Sequence, residues 1–262
     1  MMQDLTVTLI QTDLIWEDID ANLDLLDRKM DDITEKTDLI ILPETFSTGF
    51  TMNAKKLAEP MNGRAASWIS EKAVQKKAHV LGSVIIEDDR KYYNRLIWAK
   101  PDGGILTYDK KHLFRMAREH EVFSAGNARL TVEVNGWKIR PFICYDLRFP
   151  IWCRNLGNAY DTAIFIANWP AKRAPHWKLL LPARAVENQC YVIGVNRVGK
   201  DGKGFFYSGN SSVIDPMGNV RFTCAGDDCV YTETLTYDRV QEYRETFAAW
   251  QDADIDAVSC FG

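Results

Sequence analysis

The chain alternates short apolar runs with segments whose apolar residues recur at helical spacing. Leu39–Leu42 is wholly apolar and stops at Pro43, which is typical of a strand buried on both faces. Asp18–Met30 instead places its apolar side chains on one helical face. Further strands are predicted at Leu5–Gln11, Val80–Ile86, Asn94–Ala99, Ile105–Tyr108, Thr162–Ala167 and Tyr191–Asn196, and further helices at Ala65–Lys77, Pro175–Asn188 and Tyr237–Phe247. The alternation predicts an α/β fold.

Turn signals show that the sheets cannot be purely parallel. Asn135-Gly136 predicts a hairpin that joins Leu130–Val134 to Trp137–Ile143, and residues 215–219 predict a second, later hairpin. Hairpins join antiparallel strands, so we expect mixed sheets with helices on their outer faces. So many strands in one stretch of 262 residues predict two sheets packed face to face. We expect residues 1–262 to form a single domain whose last ~20 residues are a helix and tail.

Charge and composition exclude several classes of protein. The 32 Lys and Arg against 36 Asp and Glu leave a net charge of −4, which disfavours binding to a phosphate backbone. No apolar run is long enough to cross a membrane, and Asp4 interrupts the start where an export signal would be basic and then apolar. The six cysteines form no CxxC pair or regular framework. We therefore expect a cytoplasmic protein with free thiols and no membrane or nucleic-acid partner.

The motifs of several common enzyme classes are missing. The sequence has no GxSxG elbow, no P-loop and no GxGxxG. Its four histidines form neither HExxH nor another metal-binding pair. A metal enzyme is therefore disfavoured, and a His-dependent protease would have few candidate residues.

Three reactive side chains follow directly after predicted strands. Glu44 follows the strand that ends at Pro43, Lys110 follows Ile105–Asp109, and Cys144 follows the strand that ends at Ile143. Ligand sites in open α/β sheets lie beyond the carboxyl ends of the strands. A carboxylate, an ammonium and a thiol at such an edge suit nucleophilic acyl transfer. The cation would lower the pKa of the thiol and face the oxyanion, while the carboxylate would move the proton.

Each of these residues also has an ordinary structural explanation. Cys144 could be a buried core cysteine, which is the commoner fate of a cysteine in a strand. Glu44 could cap the turn that follows its strand, and Lys110 could be a solvated lysine at a strand end. Spacing alone leaves both interpretations open.

The motifs around these residues resemble the nitrilase, or carbon–nitrogen hydrolase, superfamily. The similar segments are LPETF (42–46), YDKKHLF (108–114), CYDLRFP (144–150), ARAVENQ (183–189) and GNSSVIDPMG (209–218). They occur in the family's order across almost the whole chain. Segments 114–120 and 167–177 are similar to the omega-amidases of that family in particular.

The resemblance implies a four-layer αββα sandwich that dimerises into a larger αββα–αββα block, and an active site without a metal or organic cofactor. Carried over, the catalytic triad is Glu44, Lys110 and Cys144. The family lysine lies two residues before the histidine of the His-Leu pair, which selects Lys110 over Lys111. A second family glutamate is placed at Glu119 rather than Glu121, although Ala125 here replaces the family's proline.

Four further residues are expected to contact the substrate. By the resemblance, the backbone N–H of Tyr145 stabilises the oxyanion together with Lys110. Trp169 and Phe46 would wall the pocket or fill the core. Arg173 would either be a solvated surface arginine, as most arginines are, or bind a substrate carboxylate, for which its planar guanidinium is suited. Arg148 is expected in an internal ion pair with Asp146 that shapes the turn after the cysteine.

The resemblance therefore implies a hydrolase of small omega-amides of 2-oxo dicarboxylates, such as 2-oxoglutaramate and 2-oxosuccinamate, that acts as a homodimer. An alternative within the superfamily is another substrate: a nitrile, an N-carbamoyl compound or deaminated glutathione. A non-catalytic relative that serves as a scaffold is a third possibility, but a scaffold need not keep Glu44, Lys110 and Cys144 together.

Overall fold

Two mixed β-sheets lie between helices in the computed structural model, which describes residues 3–254. The strands are β1 (Leu5–Gln11), β2 (Leu39–Ile41), β3 (His79–Asp88), β4 (Lys91–Ala99), β5 (Ile105–Asp109), β6 (Val132–Val134), β7 (Trp137–Ile143), β8 (Thr162–Ala167), β9 (Tyr191–Asn196), β10 (Val198–Lys200), β11 (Phe206–Ile214), β12 (Val220–Ala225) and β13 (Cys229–Leu235). The helices are α1 (Ile19–Asp31), α2 (Ala54–Leu57), α3 (Arg64–Lys76), α4 (Glu119–Val122), α5 (Pro150–Cys153), α6 (Ala174–Asn188) and α7 (Tyr237–Thr246). The tail expected beyond α7 extends past residue 254, outside the described residues.

The first sheet has the strand order β13-β1-β2-β3-β4-β5, and the second has the order β10-β11-β9-β8-β7-β6 with β12 beside β11. In the first sheet β1, β2 and β3 are parallel, while β4 is antiparallel to both β3 and β5. In the second sheet β7, β8 and β9 are parallel, and β6 and β11 are antiparallel to their neighbours. The expected mixed, two-sheet fold is confirmed.

Local sequence explains where several elements begin and end. The Asp18 side chain accepts a hydrogen bond from the Ala21 N–H at 3.0 Å and so caps α1. Asn135 and Gly136 both have positive φ, as the tight turn between β6 and β7 requires. Helix α6 continues through Pro182, which has no backbone N–H to donate within the helix. Packing against β9 and β11 holds this helix together across the missing backbone N–H.

The hydrophobic core has two main clusters. The larger one joins apolar residues of both sheets to helix α6, and it includes Leu9, Trp98, Phe165 and Leu181. The second, outer one lies between the first sheet and helices α1 and α3. Across residues 3–254 we found no helix long and apolar enough to span a membrane.

Candidate active site

The topology brings the three strand-end residues to one edge of the sandwich. Strand β5 runs in the same direction as β2 because two antiparallel steps separate it from β3. Glu44 and Lys110 therefore leave the first sheet at the same edge, and Cys144 leaves the second sheet opposite them. All three line one cavity of about 250 Å³. The site is thus assembled from both sheets.

Glu44, Lys110 and Glu119 form a buried, hydrogen-bonded cluster. The Lys110 Nζ lies 2.8 Å from Glu44 Oε1 and 2.9 Å from Glu119 Oε1. Both carboxylates are fully buried and the lysine is 1% exposed. Glu119 also accepts the backbone N–H of Phe114 at 2.6 Å. The alternative Glu121 instead lies at the surface, paired with Arg118.

Lys110 rather than Lys111 points into the cluster. The Lys111 Nζ lies 5.1 Å from the centre of the Trp152 ring, away from the cavity. Successive side chains of an extended segment point to opposite sides, so only one of the two lysines can face Glu44. The register taken from the His-Leu pair therefore agrees with the geometry.

Cys144 occupies a constrained turn at the end of β7. Its φ is +43°, in the left-handed region that non-glycine residues rarely adopt, and a short 3-10 turn, Cys144–Arg148, begins at it. Asp146 holds this turn by accepting the Ile143 N–H and the Tyr108 hydroxyl, at 3.1 and 2.6 Å. The thiol is thereby presented to the cavity with 9% of the residue exposed.

Burial and the neighbouring carboxylates favour the protonated form of the Cys144 thiol. Burial raises the pKa of the Cys144 thiol well above its ordinary value, the Glu44 charge raises it further, and Lys110 only partly opposes them. The cation does lower the pKa of the thiol, as expected, but burial and the Glu44 charge outweigh it. Burial opposes the charge on Lys110, but Glu119 and Glu44 outweigh it and raise the lysine pKa. Burial also raises the pKa of Glu119, against the pull of Lys110.

This electrostatic arrangement favours a proton transfer rather than a free thiolate. Two carboxylates and one ammonium leave the buried cluster with one net negative charge when the thiol is neutral. Releasing the Cys144 proton to the solvent would add a second negative charge to the buried cluster, which is costly. Passing its proton to Glu44 leaves the total charge unchanged. The geometry therefore suits Glu44 as a general base that acts as the thiol attacks.

The predicted substrate-binding residues divide into two groups. Tyr145, Trp169 and Arg173 line the cavity. Phe46 does not: its ring is fully buried in the outer core, 5.6 Å from that of Trp68. That ring packs on the backbone of Gly82, where a Cβ would come within 2.6 Å of it. Phe46 thus fills the core behind Glu44.

The expected ion pair between Asp146 and Arg148 does not form. Asp146 pairs instead with the His112 ring, at 2.8 Å. Arg148 lies over the Trp169 ring and contacts His176, and it lines the cavity near Arg173. The turn after Cys144 therefore presents its arginine to the cavity.

Two asparagines that the sequence analysis did not select contact Glu44. Asn168 follows β8 directly, and its backbone N–H donates to Glu44 Oε2 at 2.7 Å. Its position at a strand end is the same signal that identified Cys144. Asn94 lies within β4 and donates its Nδ2 to Glu44 Oε1 at 2.8 Å. A single polar residue inside a strand gives no comparable signal.

Known proteins are similar to this chain in both sequence and fold. Residues 6–245 match the family model described as carbon-nitrogen hydrolase. The chain belongs to the carbon-nitrogen hydrolase family. It is 47% identical to Omega-amidase YafV of Escherichia coli (strain K12), over 97% of this chain and 98% of that protein. It is 32% identical to the 2-oxoglutaramate amidase of Bacillus subtilis (strain 168), over 94% and 96% of the two chains.

A solved structure extends the similarity to the whole fold. XC1258 from Xanthomonas campestris, a CN-hydrolase superfamily protein solved with an arsenic adduct in its active site, superposes with a TM-score of 0.95. It is 42% identical, with 97% of this chain and 98% of that chain covered. This carbon-nitrogen hydrolase is accordingly an amide-hydrolysing enzyme of the nitrilase superfamily. In residues 3–254 no group of three or more His, Cys, Asp or Glu side chains is arranged to hold a metal ion.

Proposed function

We propose that this enzyme is an omega-amidase that hydrolyses small omega-amides of 2-oxo dicarboxylates, such as 2-oxoglutaramate and 2-oxosuccinamate, to the 2-oxo acid and ammonia. The observation that carries the proposal is a pair of guanidinium groups, Arg148 and Arg173, on the wall of the cavity that holds Cys144. Neither is paired with a carboxylate among residues 3–254. The similarity to Omega-amidase YafV and to a 2-oxoglutaramate amidase supports the same substrate class.

The two arginines favour an anionic substrate. Burial lowers the pKa of Arg148, and the like charge of Arg173 lowers it further. An anion bound beside them would relieve that repulsion, and a guanidinium binds a carboxylate through two parallel hydrogen bonds. Phe50, Phe114 and Trp169 supply apolar walls for the carbon chain between the carboxylate and the amide.

In the first half-reaction Glu44 accepts the Cys144 proton while the sulfur attacks the amide carbonyl carbon. The resulting oxyanion is stabilised by the Lys110 ammonium and the Tyr145 N–H. The first N–H groups of a helical turn have no partner within it, and Tyr145 lies at such a position. Glu44 then returns the proton to the departing nitrogen, and the C–N bond breaks to leave ammonia and a thioester.

In the second half-reaction water hydrolyses the thioester. Glu44, now a carboxylate again, takes a proton from the water as its oxygen attacks the acyl carbon. Glu119 supports this step by holding Lys110 in place from the opposite side. Collapse of the second oxyanion breaks the C–S bond, releases the 2-oxo acid and returns a protonated Cys144.

A substrate panel tests the proposal. Ammonia release would be measured for 2-oxoglutaramate, 2-oxosuccinamate, an uncharged amide of similar size, a nitrile and an N-carbamoyl compound. We expect the highest kcat/KM for the two 2-oxo omega-amides. A clear preference for the nitrile or the N-carbamoyl compound would refute this substrate assignment while leaving the enzyme a carbon-nitrogen hydrolase.

Replacing Arg173 by methionine tests the carboxylate contact. Loss of a hydrogen bond to a charged group costs about 1.5–3 kcal/mol, so KM for 2-oxoglutaramate should rise roughly 10- to 140-fold. KM for an uncharged amide of similar size should change little. Arg118→Met is the matched control because Arg118 lies nearby, is exposed and pairs with Glu121. Equal effects of Arg173→Met on both substrates would exclude a carboxylate-binding role.

We further propose that the enzyme is a cytoplasmic, single-domain homodimer. Free thiols at five described cysteines support a reducing compartment. A patch of exposed apolar side chains on the outer face of α6 and the adjoining hairpin supports association. Its members, with their exposed fractions, are Leu179 (71%), Val186 (49%), Met217 (55%) and Val220 (53%).

A charge placed in this patch should dissociate the dimer. We expect Leu179→Glu to shift the mass measured by light scattering from dimer to monomer, because an ionised carboxylate would have to be desolvated at the interface. Val74→Glu, at a 49% exposed apolar position in α3, serves as the control and should leave the mass unchanged. An unaltered dimer in Leu179→Glu would place the interface elsewhere.

A further inference from the structure

Asn94 contacts two of the three triad residues, Glu44 and Lys110. Its Nδ2 donates to Glu44 Oε1 at 2.8 Å, and its main-chain carbonyl accepts the Lys110 N–H at 3.0 Å. Asn94 is 1% exposed and does not line the cavity. Asn94 therefore touches the catalytic groups from behind, through β4, and cannot contact a substrate.

The donors around Glu44 divide its two oxygens into different roles. A carboxylate offers about four acceptor positions, two on each oxygen. Both positions of Oε1 are occupied, by Asn94 Nδ2 and by Lys110 Nζ, each at 2.8 Å. Among residues 3–254, Oε2 accepts one donor, the Asn168 N–H at 2.7 Å. The open position for a proton is therefore on Oε2.

The other end of the Asn94 amide shows that this arrangement is costly. Its Oδ1 is buried and has no hydrogen-bond partner among the described residues. An unsatisfied buried acceptor is unfavourable, and an apolar side chain at this position would avoid it. Rotating the amide by half a turn would not help, because Oδ1 would then face the Glu44 carboxylate. The Nδ2 donor is thus retained at a cost to stability.

We infer that Asn94 is a positioning residue that keeps Glu44 Oε1 occupied and so leaves Oε2 as the oxygen that exchanges the proton with Cys144 and the leaving nitrogen. This inference rests on the roles proposed for Glu44 and Cys144. It assigns Asn94 no contact with substrate: the residue acts by stabilising the ionised form and the orientation of the Glu44 carboxylate.

The variant Asn94→Leu removes the donor and has two readouts, the pH dependence of kcat/KM and that of Cys144 alkylation by iodoacetamide. The acid limb of both profiles belongs to the coupled group of Glu44, Glu119, Lys110 and Cys144. A hydrogen bond to a carboxylate favours its ionised form, so without Asn94 the base is protonated at higher pH. We expect both acid limbs to move up by about one pH unit. At neutral pH kcat should fall while KM stays unchanged.

The alkylation experiment tests the role of Asn94 independently of whether the proposed omega-amidase activity is correct. If the wild-type protein hydrolyses no omega-amide, the proposed function fails, yet the alkylation profile still tests Asn94. Ser83→Ala is the matched control, since the Ser83 hydroxyl accepts the Thr45 N–H at 2.8 Å beside Glu44 without touching the carboxylate. We expect a lower melting temperature for it and unshifted acid limbs.

Unshifted limbs in a folded Asn94→Leu protein would overturn the inference. Leucine is larger than asparagine, and the variant could fail to fold for that reason alone. Asn94→Ala removes the donor without adding volume, and in that case it takes the place of the leucine variant with the same expected shift. A lowered melting temperature with wild-type limbs in either variant would show that Asn94 only supports the fold.

Discussion

Replacing Cys144 by alanine should reduce ammonia release from 2-oxoglutaramate by about four orders of magnitude or more, the scale of a missing covalent nucleophile. Among the described residues no other cysteine lines the cavity, so no other described thiol can replace it. The fold should be retained, since the substitution removes one sulfur atom at the wall of an existing cavity. Circular dichroism and the melting temperature check the fold.

Chemical labelling gives an independent check on the same residue. Iodoacetamide should modify Cys144 before the other five cysteines, as located by mass spectrometry, because Cys144 lines the cavity beside its proposed general base, Glu44. Cys153→Ala, which removes a buried cysteine outside the cavity, is the control and should retain activity. Preferential labelling of another cysteine with simultaneous loss of activity would contradict the assignment of Cys144 as nucleophile.

Lys110→Ala should lower kcat by a factor of about 100 or more, the scale of a lost oxyanion donor. Removing the ammonium also leaves the buried Glu44 and Glu119 carboxylates without their shared cation. Two such carboxylates cannot both stay ionised, so one takes up a proton and the general base is compromised. Initial rates with saturating 2-oxoglutaramate measure the effect.

Lys111→Ala is the matched control for Lys110. The two residues are adjacent, yet the Lys111 side chain lies on the Trp152 ring. We expect its activity to stay close to that of the wild type. If Lys111→Ala were the more damaging of the two, the register of the YDKKHLF segment would be off by one residue.

Strands with a local apolar pattern could be predicted from the sequence. Strands that form only because they pair with a segment distant in the chain could not. The boundaries of β1, β8 and β9 agree with the predicted ones. Strand β13 was not predicted because Cys229–Leu235 mixes polar and apolar residues and is only partly buried. Its strand conformation comes from pairing with β1, where Leu235 lies opposite Leu5. Such a long-range pairing leaves no local pattern.

The residues of the active site also divide into those that local sequence predicts and those that depend on the tertiary fold. Glu44, Lys110 and Cys144 could be selected because each directly follows a strand. Phe46 could not be placed, since two residues beyond Glu44 the chain can turn toward either the cavity or the core. Arg148 was expected in an ion pair, but the partner depends on which groups the fold brings to Asp146. The net pKa shift of Cys144 depends on burial, which spacing does not report.

The pairing of β13 with β1 also orders events during protein synthesis. The ribosome makes Leu5–Gln11 first, but the strand that covers its open edge is more than two hundred residues away in the chain. Until Cys229–Leu235 has been translated, β1 exposes an edge that could pair with other nascent chains. The first sheet, which carries Glu44 and Lys110, is complete only then. A polypeptide that stalls before this point should therefore be both prone to aggregation and unable to hydrolyse amides.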